Sequence, residues 1–303
     1  MESIREQAQA IMKEKATKAT KREKLLKIGL TETDIQNLFF TDMMVARQDL
    51  KAAAADRARQ RILASYTFGV EIECYNVHHG IIGIAARHGL DMRNEGYNHT
   101  DHRSHYKLVT DASIHGTDPI ECVTPILGNC KQGFDSLKAC CDTLNEAGAK
   151  VNRSTGLHVH VGGQITEQQY CNVFANYYHL ESVIDSFMAP SRRNNYYCKS
   201  LHGNADGIAT ATTIAEVQRS MSDRYFKINS RSWTAHKTIE FRQHQGSTNY
   251  GKISAWARFC IKLVHWSAEN RLTAPVTSID EIDFLTEQEK TYFKNRVQAF
   301  AAL

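Results

Sequence analysis

The stretch Thr155-Gly-Leu-His-Val-His-Val-Gly-Gly163 constrains the fold more than any other part of the chain, because apolar residues alternate in it strictly with two histidines. Alternation with a period of two predicts a β-strand whose two faces differ. His158 and His160 then share one face, and a leucine and two valines lie on the other. A single His-x-His pattern is also typical of a half-buried strand with two exposed histidines, so its interpretation depends on the rest of the chain.

Three other stretches place charged residues on strands of the same kind. Residues 65–74 and 238–246 alternate as the histidine stretch does, so each predicts a strand with one polar face. A short apolar stretch near Ile120 contains a single carboxylate, and a carboxylate in an apolar strand needs a partner. The charged residues of these stretches are Glu71 and Glu73, Glu240 and Arg242, and Glu121.

These polar faces predict a metal-dependent site for phosphoryl transfer. An antiparallel sheet with one open polar face would bring the carboxylates and histidines together. Several carboxylates with one or two imidazoles favour two or more Mg²⁺ or Mn²⁺ ions over zinc. Arginines in the same chain supply groups that neutralise phosphate oxygens. They are Arg192, Arg193, Arg231 and Arg242.

Two other kinds of site fit the sequence less well. The chain has neither a Walker A motif nor Gly-x-Gly-x-x-Gly, which argues against a P-loop or a kinase-type nucleotide site. A zinc hydrolase is the main competing interpretation, since His-x-His also occurs in metal-dependent hydrolase barrels. Such barrels need repeated strand–helix units, and this sequence does not display the repetition.

Length and composition indicate a folded protein in a reducing compartment. A chain of 303 residues with 42% hydrophobic residues can build one large core or two smaller ones. Its 8 cysteines show no Cys-x-x-Cys spacing. No apolar run approaches the roughly 18 residues that a membrane span needs. We therefore expect a soluble, cytoplasmic protein that does not enter a membrane.

Residues 1–64 differ from the rest of the chain and predict a helical N-terminal arm. They contain no proline and break once at Gly29, with Thr31 or Thr33 as the next helix cap. They hold 13 of the 37 Lys and Arg residues and 9 of the 33 Asp and Glu residues, so the whole net charge of +4 lies there. This modest excess without interleaved aromatic residues argues against nucleic-acid binding. We expect a solvated helical pair, with docking of a protein partner or self-association as the alternative role.

Six ordered segments together form a pattern that is more specific than any one motif. They are Gly69-Val-Glu-Ile-Glu73, Asp111-Ala-Ser113, Glu121-Cys-Val-Thr-Pro125, Gly156-Leu-His-Val-His-Val-Gly162, Ser191-Arg-Arg193 with Asn195 and Tyr197-Cys198, and Thr238-Ile-Glu-Phe-Arg-Gln-His-Gln-Gly246. This set resembles the amidoligase family, which belongs to the carboxylate–amine ligases of the glutamine synthetase and glutamate–cysteine ligase superfamily. The chain departs from the family's usual Gly and Ser at Ala112 and Thr124.

The resemblance implies a fold and a set of ligands. The fold is α+β, with a curved, mainly antiparallel sheet flanked by helices as in the catalytic fold of glutamine synthetase. It implies ATP and two or three Mg²⁺ or Mn²⁺ ions bound inside the concave face of that sheet. Residues 65–303 would then form the amidoligase-like catalytic domain, and the helical arm of residues 1–64 would be an extension outside it.

The resemblance also implies ligands for two metal ions. Glu71, His158 and Glu240 would hold the ion nearest the ATP phosphates. Glu73 and Glu121 would hold the ion near the acceptor carboxylate. His160 faces the same cleft and would contact either a metal ligand or the substrate.

Further residues receive roles in the reaction, some from the resemblance and some from their own chemistry. Arg242 would contact the transferred phosphoryl group, and Arg231 or Arg193 the substrate carboxylate. Arg192 and Arg193 form a pair that suits binding of an anion such as a nucleotide phosphate. Asp111 and His160 are the candidate bases that would take a proton from the incoming amine. These are the catalytic and nucleotide-binding residues that we expect.

The expected reaction is ATP-dependent formation of an amide. ATP would phosphorylate a carboxylate, and an amine would attack the resulting acyl phosphate, which turns a poor leaving group into a good one. The carboxylate and the amine would be small molecules or peptides. Two alternatives remain: an ATP-dependent phosphotransferase of the same fold, and a non-catalytic docking or structural protein that uses the helical arm.

Overall fold

The computed structural model describes the chain except for residues 1–2, 99–103 and 302–303. Residues 1–2 belong to the predicted arm, and the other two stretches belong to the predicted catalytic domain. The chain divides into two compact units, Met1–Ile62 and Leu63–Leu303. Each unit has a hydrophobic core of its own.

The described residues of the first unit form three helices, whereas the sequence predicted a pair. The stretch before Gly29 forms two helices because Thr17 caps the second one, where its hydroxyl accepts a hydrogen bond from the backbone N–H of Thr20. Thr31, one of the two predicted caps, accepts a hydrogen bond from the backbone N–H of Asp34 at 3.2 Å. The helices are α1 (Ile4–Lys13), α2 (Lys18–Lys27) and α3 (Glu32–Ser65).

This unit has a small core and a long helix that is mostly exposed. Only the beginning of α3 contributes to the core, and apolar residues farther along it, such as Phe40 and Leu50, remain exposed. Most helices in proteins are stabilised by packing of an apolar face, and the exposed part of α3 gains little of that stabilisation within this unit. The buried core residues are Ala8, Ile11, Leu25 and Ile35.

The second unit is built around one sheet of eight strands in the described part of the chain. Three of these strands were not predicted from the sequence: the second is five residues long, and the fifth and seventh are only two residues each. The strands are β1 (Thr67–Cys74), β2 (Met92–Gly96), β3 (Tyr106–Val109), β4 (Ile120–Val123), β5 (Leu127–Gly128), β6 (Gly156–Gly162), β7 (Ile228–Asn229) and β8 (Thr238–Gln245).

The sheet is mainly antiparallel, with the order β2-β3-β4-β1-β6-β8-β7 and with β5 paired to β1. Among the described strands, only β2 and β3 pair in parallel. The predicted antiparallel sheet with flanking helices is therefore confirmed. The helices of this unit are α4 (Ile81–Arg87), α5 (Lys131–Glu146), α6 (Glu167–Ser186), α7 (Ile214–Ser220), α8 (Ser232–His236), α9 (Tyr250–Trp266) and α10 (Glu287–Ala301).

One face of the sheet is covered by helices. α9 contacts β1 and β6 as well as α5 and α6. Phe68 of β1 stacks on Phe134 of α5, with ring centroids 4.8 Å apart. Alternate residues of β1, β6 and β8 are fully buried on this side, and burying each such side chain stabilises the fold by about 1.5–3 kcal/mol. The opposite face is left for polar residues. Among the described residues, no helix is both long enough and apolar enough to cross a membrane.

The register of the central strands places the polar residues side by side. Glu71 of β1 lies opposite His158 of β6, and Glu73 lies opposite Glu121 of β4. Directly opposed residues in an antiparallel pair share a face, so their side chains are neighbours. A slip of one residue would move each polar side chain to the helix-covered face, which makes this register costly to change.

A β-bulge interrupts the pairing of β6 with β8. Leu157 lies opposite His244, but Val159 lies opposite Phe241, so β8 has one residue more than β6 over this interval. Strict alternation would place His244 on the polar face with Glu240. The bulge moves it to the apolar face instead, where its ring lies 6.0 Å from the Trp256 ring.

Candidate active site

A cavity of about 770 Å³ lies over the polar face of the sheet. Its walls come from β1, β3, β4, β6 and β8 and from the chain between α6 and β8. The cavity brings together every predicted site residue except Arg193. These residues are Glu71, Glu73, Asp111, Glu121, His158, His160, Arg192, Arg231, Glu240 and Arg242.

A first cluster consists of Glu71, His160 and Glu240. One potential ligand atom from each lies within 4.8 Å of the others, a spacing that suits one divalent cation. His160 Nε2 is 3.1 Å from Glu71 Oε1. Two donors hold Glu240 in place: Arg242 Nη1 donates to Oε1 at 2.5 Å, and Asn229 Nδ2 donates to Oε2 at 2.6 Å.

A second cluster consists of Glu73, Asp111 and Glu121, again with one ligand atom from each within 4.8 Å of the others. The backbone N–H of Gly156 donates to Glu73 Oε2 at 2.5 Å, which fixes that carboxylate. The backbone N–H of Ser113 donates to Asp111 Oδ1 at 2.7 Å. Asp111, which the sequence suggested as a base, therefore lies beside two predicted metal ligands.

His158 lies between the two clusters. Its Nδ1 is 2.9 Å from Glu71 Oε2 and 3.8 Å from Glu240 Oε1, and its Nε2 is 3.5 Å from Glu73 Oε1. The family resemblance gave the ligand role to His158 and a supporting role to His160. By distance, His160 is also placed to be a ligand in the first cluster, and His158 connects that cluster to the second.

Charges within the first cluster shift the pKa values of its members. Desolvation would raise the pKa of Glu71, but the positive charge of His160 and hydrogen bonds from both histidines lower it well below its usual value. Desolvation would lower the pKa of His160, and the charge of Glu71 raises it. Desolvation also acts against the charge on Arg242, but the adjacent Glu240 carboxylate raises the Arg242 pKa. Opposite charges in the first cluster thus stabilise one another.

The second cluster brings three carboxylates close together in a partly buried site. The pKa of Glu121 lies well above its usual value, first because of burial and then because of the nearby carboxylates of Glu71, Glu73, Asp111 and Glu240. A bound cation would remove this penalty. Carboxylate oxygens are the ligands that Mg²⁺ and Mn²⁺ prefer. The residues present therefore fit hard divalent cations.

Arg242 and Arg192 line the cavity next to the first cluster. Within the part of the chain that the structure describes, the buried Nε of Arg242 has no acceptor, so it is free to bind an oxygen of a ligand. Arg192 is buried and donates from Nη2 to the backbone carbonyl of Arg242 and from Nε to that of Gln243, at 3.4 Å in the second case. Arg192 thus supports the strand that carries Arg242.

Arg231 and Arg193 differ in position. Arg231 lines the cavity while its Nη2 donates to the backbone carbonyls of Met221 and Ser222, each at 3.3 Å. Arg193 is not part of the cavity wall, and its Nε donates to the backbone carbonyl of Met188 at 3.2 Å. The contact of Arg193 with a substrate or nucleotide stays a prediction, and its Nε is held just beyond the end of α6.

Several cavity residues were missed in the sequence. Lys107 is the clearest case, because it lies in the otherwise apolar strand β3. A buried charge needs a partner, and this argument, which identified Glu121, applies equally to Lys107. Asn229, which holds Glu240, belongs to the two-residue strand β7, and so short a strand leaves no periodic signal. Tyr97 and Tyr225 also line the cavity, but they lie outside the regular strands. Tyr197, which the sequence pattern contained without a role, lines it as well.

Comparisons with known proteins find one family model and several solved structures. A family model described as "Putative amidoligase enzyme" matches residues 64–264 of this chain. The crystal structure of a bifunctional glutathione synthetase from Pasteurella multocida is similar, with 12% sequence identity and a TM-score of 0.40. That similarity covers 79% of this chain and 47% of the synthetase, so the chain spans about half of that protein's length. A comparison with curated proteins finds no significant match.

The family match coincides with the site. Its limits, residues 64–264, include all six segments of the sequence pattern and both carboxylate clusters. They exclude α1, α2, nearly all of α3, and α10. Because the family model matches well over half of the 303 residues, this chain belongs to the amidoligase family.

Proposed function

We propose that this protein is an ATP-dependent ligase that forms an amide from a carboxylate and an amine through an acyl phosphate. The observation that carries the proposal is the pair of carboxylate clusters in one cavity, with His158 between them and Arg242 beside the first. We propose further that the sheet has the curvature of the glutamine synthetase catalytic fold. The substrates would be small molecules or peptides that reach the two clusters from the cavity mouth.

Two divalent cations, Mg²⁺ or Mn²⁺, fit this donor set. Glu71, His160 and Glu240 would hold the first of them, and Glu73 and Glu121 the second, with Asp111 beside them. Bound there, such ions supply positive charge that offsets the charge on phosphate oxygens. His158 faces carboxylates of both clusters and connects them.

The first step would transfer the γ-phosphoryl group of ATP. A carboxylate oxygen of the substrate attacks the γ-phosphorus, the bond from phosphorus to the β,γ-bridging oxygen breaks, and ADP leaves. Arg242 lies where it can donate from Nε to an oxygen of the moving phosphoryl group, since that atom has no acceptor among the described residues. The Glu240 carboxylate keeps the guanidinium charged and oriented.

The second step would form the amide. The nitrogen of the amine attacks the acyl carbon, and inorganic phosphate leaves with one oxygen of the former carboxylate. The amine must lose a proton, and Asp111 is the base that we propose. Both ring nitrogens of His160 are already engaged, Nδ1 by the Thr238 hydroxyl at 2.9 Å and Nε2 by Glu71, which makes it the weaker candidate.

A coupled assay tests this function. Purified protein is incubated with Mg²⁺, ATP, hydroxylamine as the amine, and a pool of amino acids and peptides, and ADP and hydroxamates are measured. We expect ADP release only when the pool is present. We expect Glu71→Gln to lower the rate of ADP release by about 100-fold or more, because the variant lacks a ligand of the ion that offsets charge in the transition state. Glu146→Gln, at an exposed carboxylate of α5, is the matched control and should be as active as wild type. ADP release no higher in wild type than in Glu71→Gln would contradict the proposal.

A further inference from the structure

Three tyrosines from two chain segments gather at one side of the cavity. The ring centroids of Tyr196 and Tyr225 are 5.4 Å apart, and those of Tyr197 and Tyr225 are 5.7 Å apart. Tyr196 and Tyr197 remain 66% and 45% exposed. Tyrosines that serve the core of this protein, such as Tyr170 and Tyr177, are fully buried, so the exposed group has no equivalent packing role.

Guanidinium groups flank the central ring of this group. The guanidinium carbon of Arg224 lies 5.2 Å from the Tyr225 ring centroid, and that of Arg242 lies 5.9 Å from it. Tyr197, Arg224 and Tyr225 all line the cavity. Because Arg242 also donates to Glu240, one side chain connects the tyrosines to the first carboxylate cluster. We call Tyr197, Arg224 and Tyr225 the stacking platform.

We propose that the stacking platform binds the planar base of the nucleotide, an inference that rests on the proposed function. Aromatic rings and guanidinium planes are the groups on which nucleobases stack in proteins, with little dependence on the base. A nucleotide whose base lies on the platform extends its phosphates past Arg242 to the first cluster. The carboxylate and the amine then approach from the opposite side, where Asp111, Glu121 and Lys107 line the cavity.

The proposal fixes the direction in which the nucleotide lies in the cavity. A third cavity-lining tyrosine, Tyr97, follows the end of β2, which forms the edge of the sheet opposite to β8 and β7. It offers the same kind of ring at the other end of the site. Its substitution is therefore a matched control for the platform.

The test compares the binding of Mg²⁺-ATP with that of Mg²⁺-tripolyphosphate, which has the phosphate chain without the base, by calorimetry on the full-length chain. We expect Tyr225→Leu and Tyr197→Leu each to weaken ATP binding by roughly 5- to 100-fold and to leave tripolyphosphate binding within about twofold. Tyr225→Phe keeps the ring and should bind both ligands as wild type does. Tyr97→Leu should change neither affinity.

The possible outcomes separate the base site from the proposed function. If wild type binds neither ligand, the proposed function is wrong and the base site with it. If wild type binds both and the platform variants weaken both equally, the tyrosines only support Arg242, and the base site alone is overturned. It is likewise overturned if no platform variant alters ATP binding, or if Tyr97→Leu is the variant that weakens ATP selectively.

Discussion

Glu121 shows at the scale of one residue how the site is adapted to a cation. Its side chain is partly buried on β4, in the cluster with Glu73 and Asp111. Charge repulsion in this cluster acts against the folded protein whenever no cation is bound. Such frustration is typical of residues retained for function at a cost in stability.

Substitution of this carboxylate should therefore stabilise the metal-free protein. Glu121→Gln keeps the shape of the side chain and removes its charge, so we expect the melting temperature in EDTA to rise by about 2–4 °C. The rise that Mg²⁺ causes in wild type should become smaller in the variant, because the second cluster loses a ligand. Differential scanning calorimetry with and without Mg²⁺ measures both effects.

The control for this experiment is Glu269→Gln, at an exposed carboxylate after α9. It should change neither the melting temperature in EDTA nor the response to Mg²⁺. A lower melting temperature of Glu121→Gln in EDTA would mean that Glu121 stabilises the metal-free fold, contrary to the repulsion that we describe.

At the scale of elements, the bulge in β8 separates two kinds of polar residue on one strand. Glu240 and Arg242 face the cavity, and His244 faces α9. His244 Nδ1 donates to the carbonyl of Gln245 at 2.7 Å, and the ring is buried. Burial, followed by the positive charges of neighbouring basic residues, lowers the pKa of His244 to about 3.

This buried histidine should make stability fall at low pH. Between pH 6.5, the usual value for histidine, and about 3, the unfolded chain binds a proton at His244 that the folded chain does not. The free energy of unfolding must then fall as the pH drops through this window, by up to about 1.4 kcal/mol per pH unit for one proton. His244→Asn keeps a donor near Nδ1 but cannot be protonated. The free energy of unfolding of this variant should therefore fall less steeply with decreasing pH than that of wild type, by up to the same amount per pH unit.

Urea unfolding of wild type and His244→Asn at several pH values from 4 to 7.5 measures the difference. The two curves of stability against pH should run parallel above pH 7 and diverge below pH 6. Curves that stay parallel down to pH 4 would show that His244 is protonated in the folded protein, in conflict with its buried position beside Trp256.

The sequence predicts the faces of the long strands but not their irregularities. In β1 and β6, alternation places Glu71 and His158 correctly on the face opposite the buried valines, because a strand period of two is visible over seven or eight residues. The bulge in β8 has no such signal, so His244 could not be assigned to the apolar face. β7 is too short to be read from periodicity, and Asn229 was missed with it.

At the scale of the whole molecule, the site depends on contacts between distant segments. The first cluster joins β1, β6 and β8, and the second joins β1, β4 and the turn after β3. The amidoligase pattern predicted that these segments belong together, and the family match confirms the family. The division of roles between His158 and His160 stays a prediction, since their spacing depends on register and side-chain direction that a pattern does not contain.

The long exposed helix of the first unit lies mostly outside the family match, which begins at residue 64. The predicted roles of this arm, docking of a partner or self-association, are therefore separate from the chemistry proposed for the cavity. The cavity lies wholly within the second unit, since every residue that lines it follows residue 62. The central claim about function thus concerns the second unit.

The most direct test of that claim follows oxygen atoms through the reaction. The pool of amino acids and peptides is labelled with ¹⁸O in its carboxyl groups and incubated with the protein, Mg²⁺, ATP and hydroxylamine, and inorganic phosphate and products are analysed by mass spectrometry. An acyl phosphate requires one ¹⁸O atom in each phosphate released, together with ADP and a hydroxamate. Phosphate without ¹⁸O, or a stable phosphorylated product in place of the hydroxamate, would contradict the proposed ligase reaction, and the second result would identify a phosphotransferase.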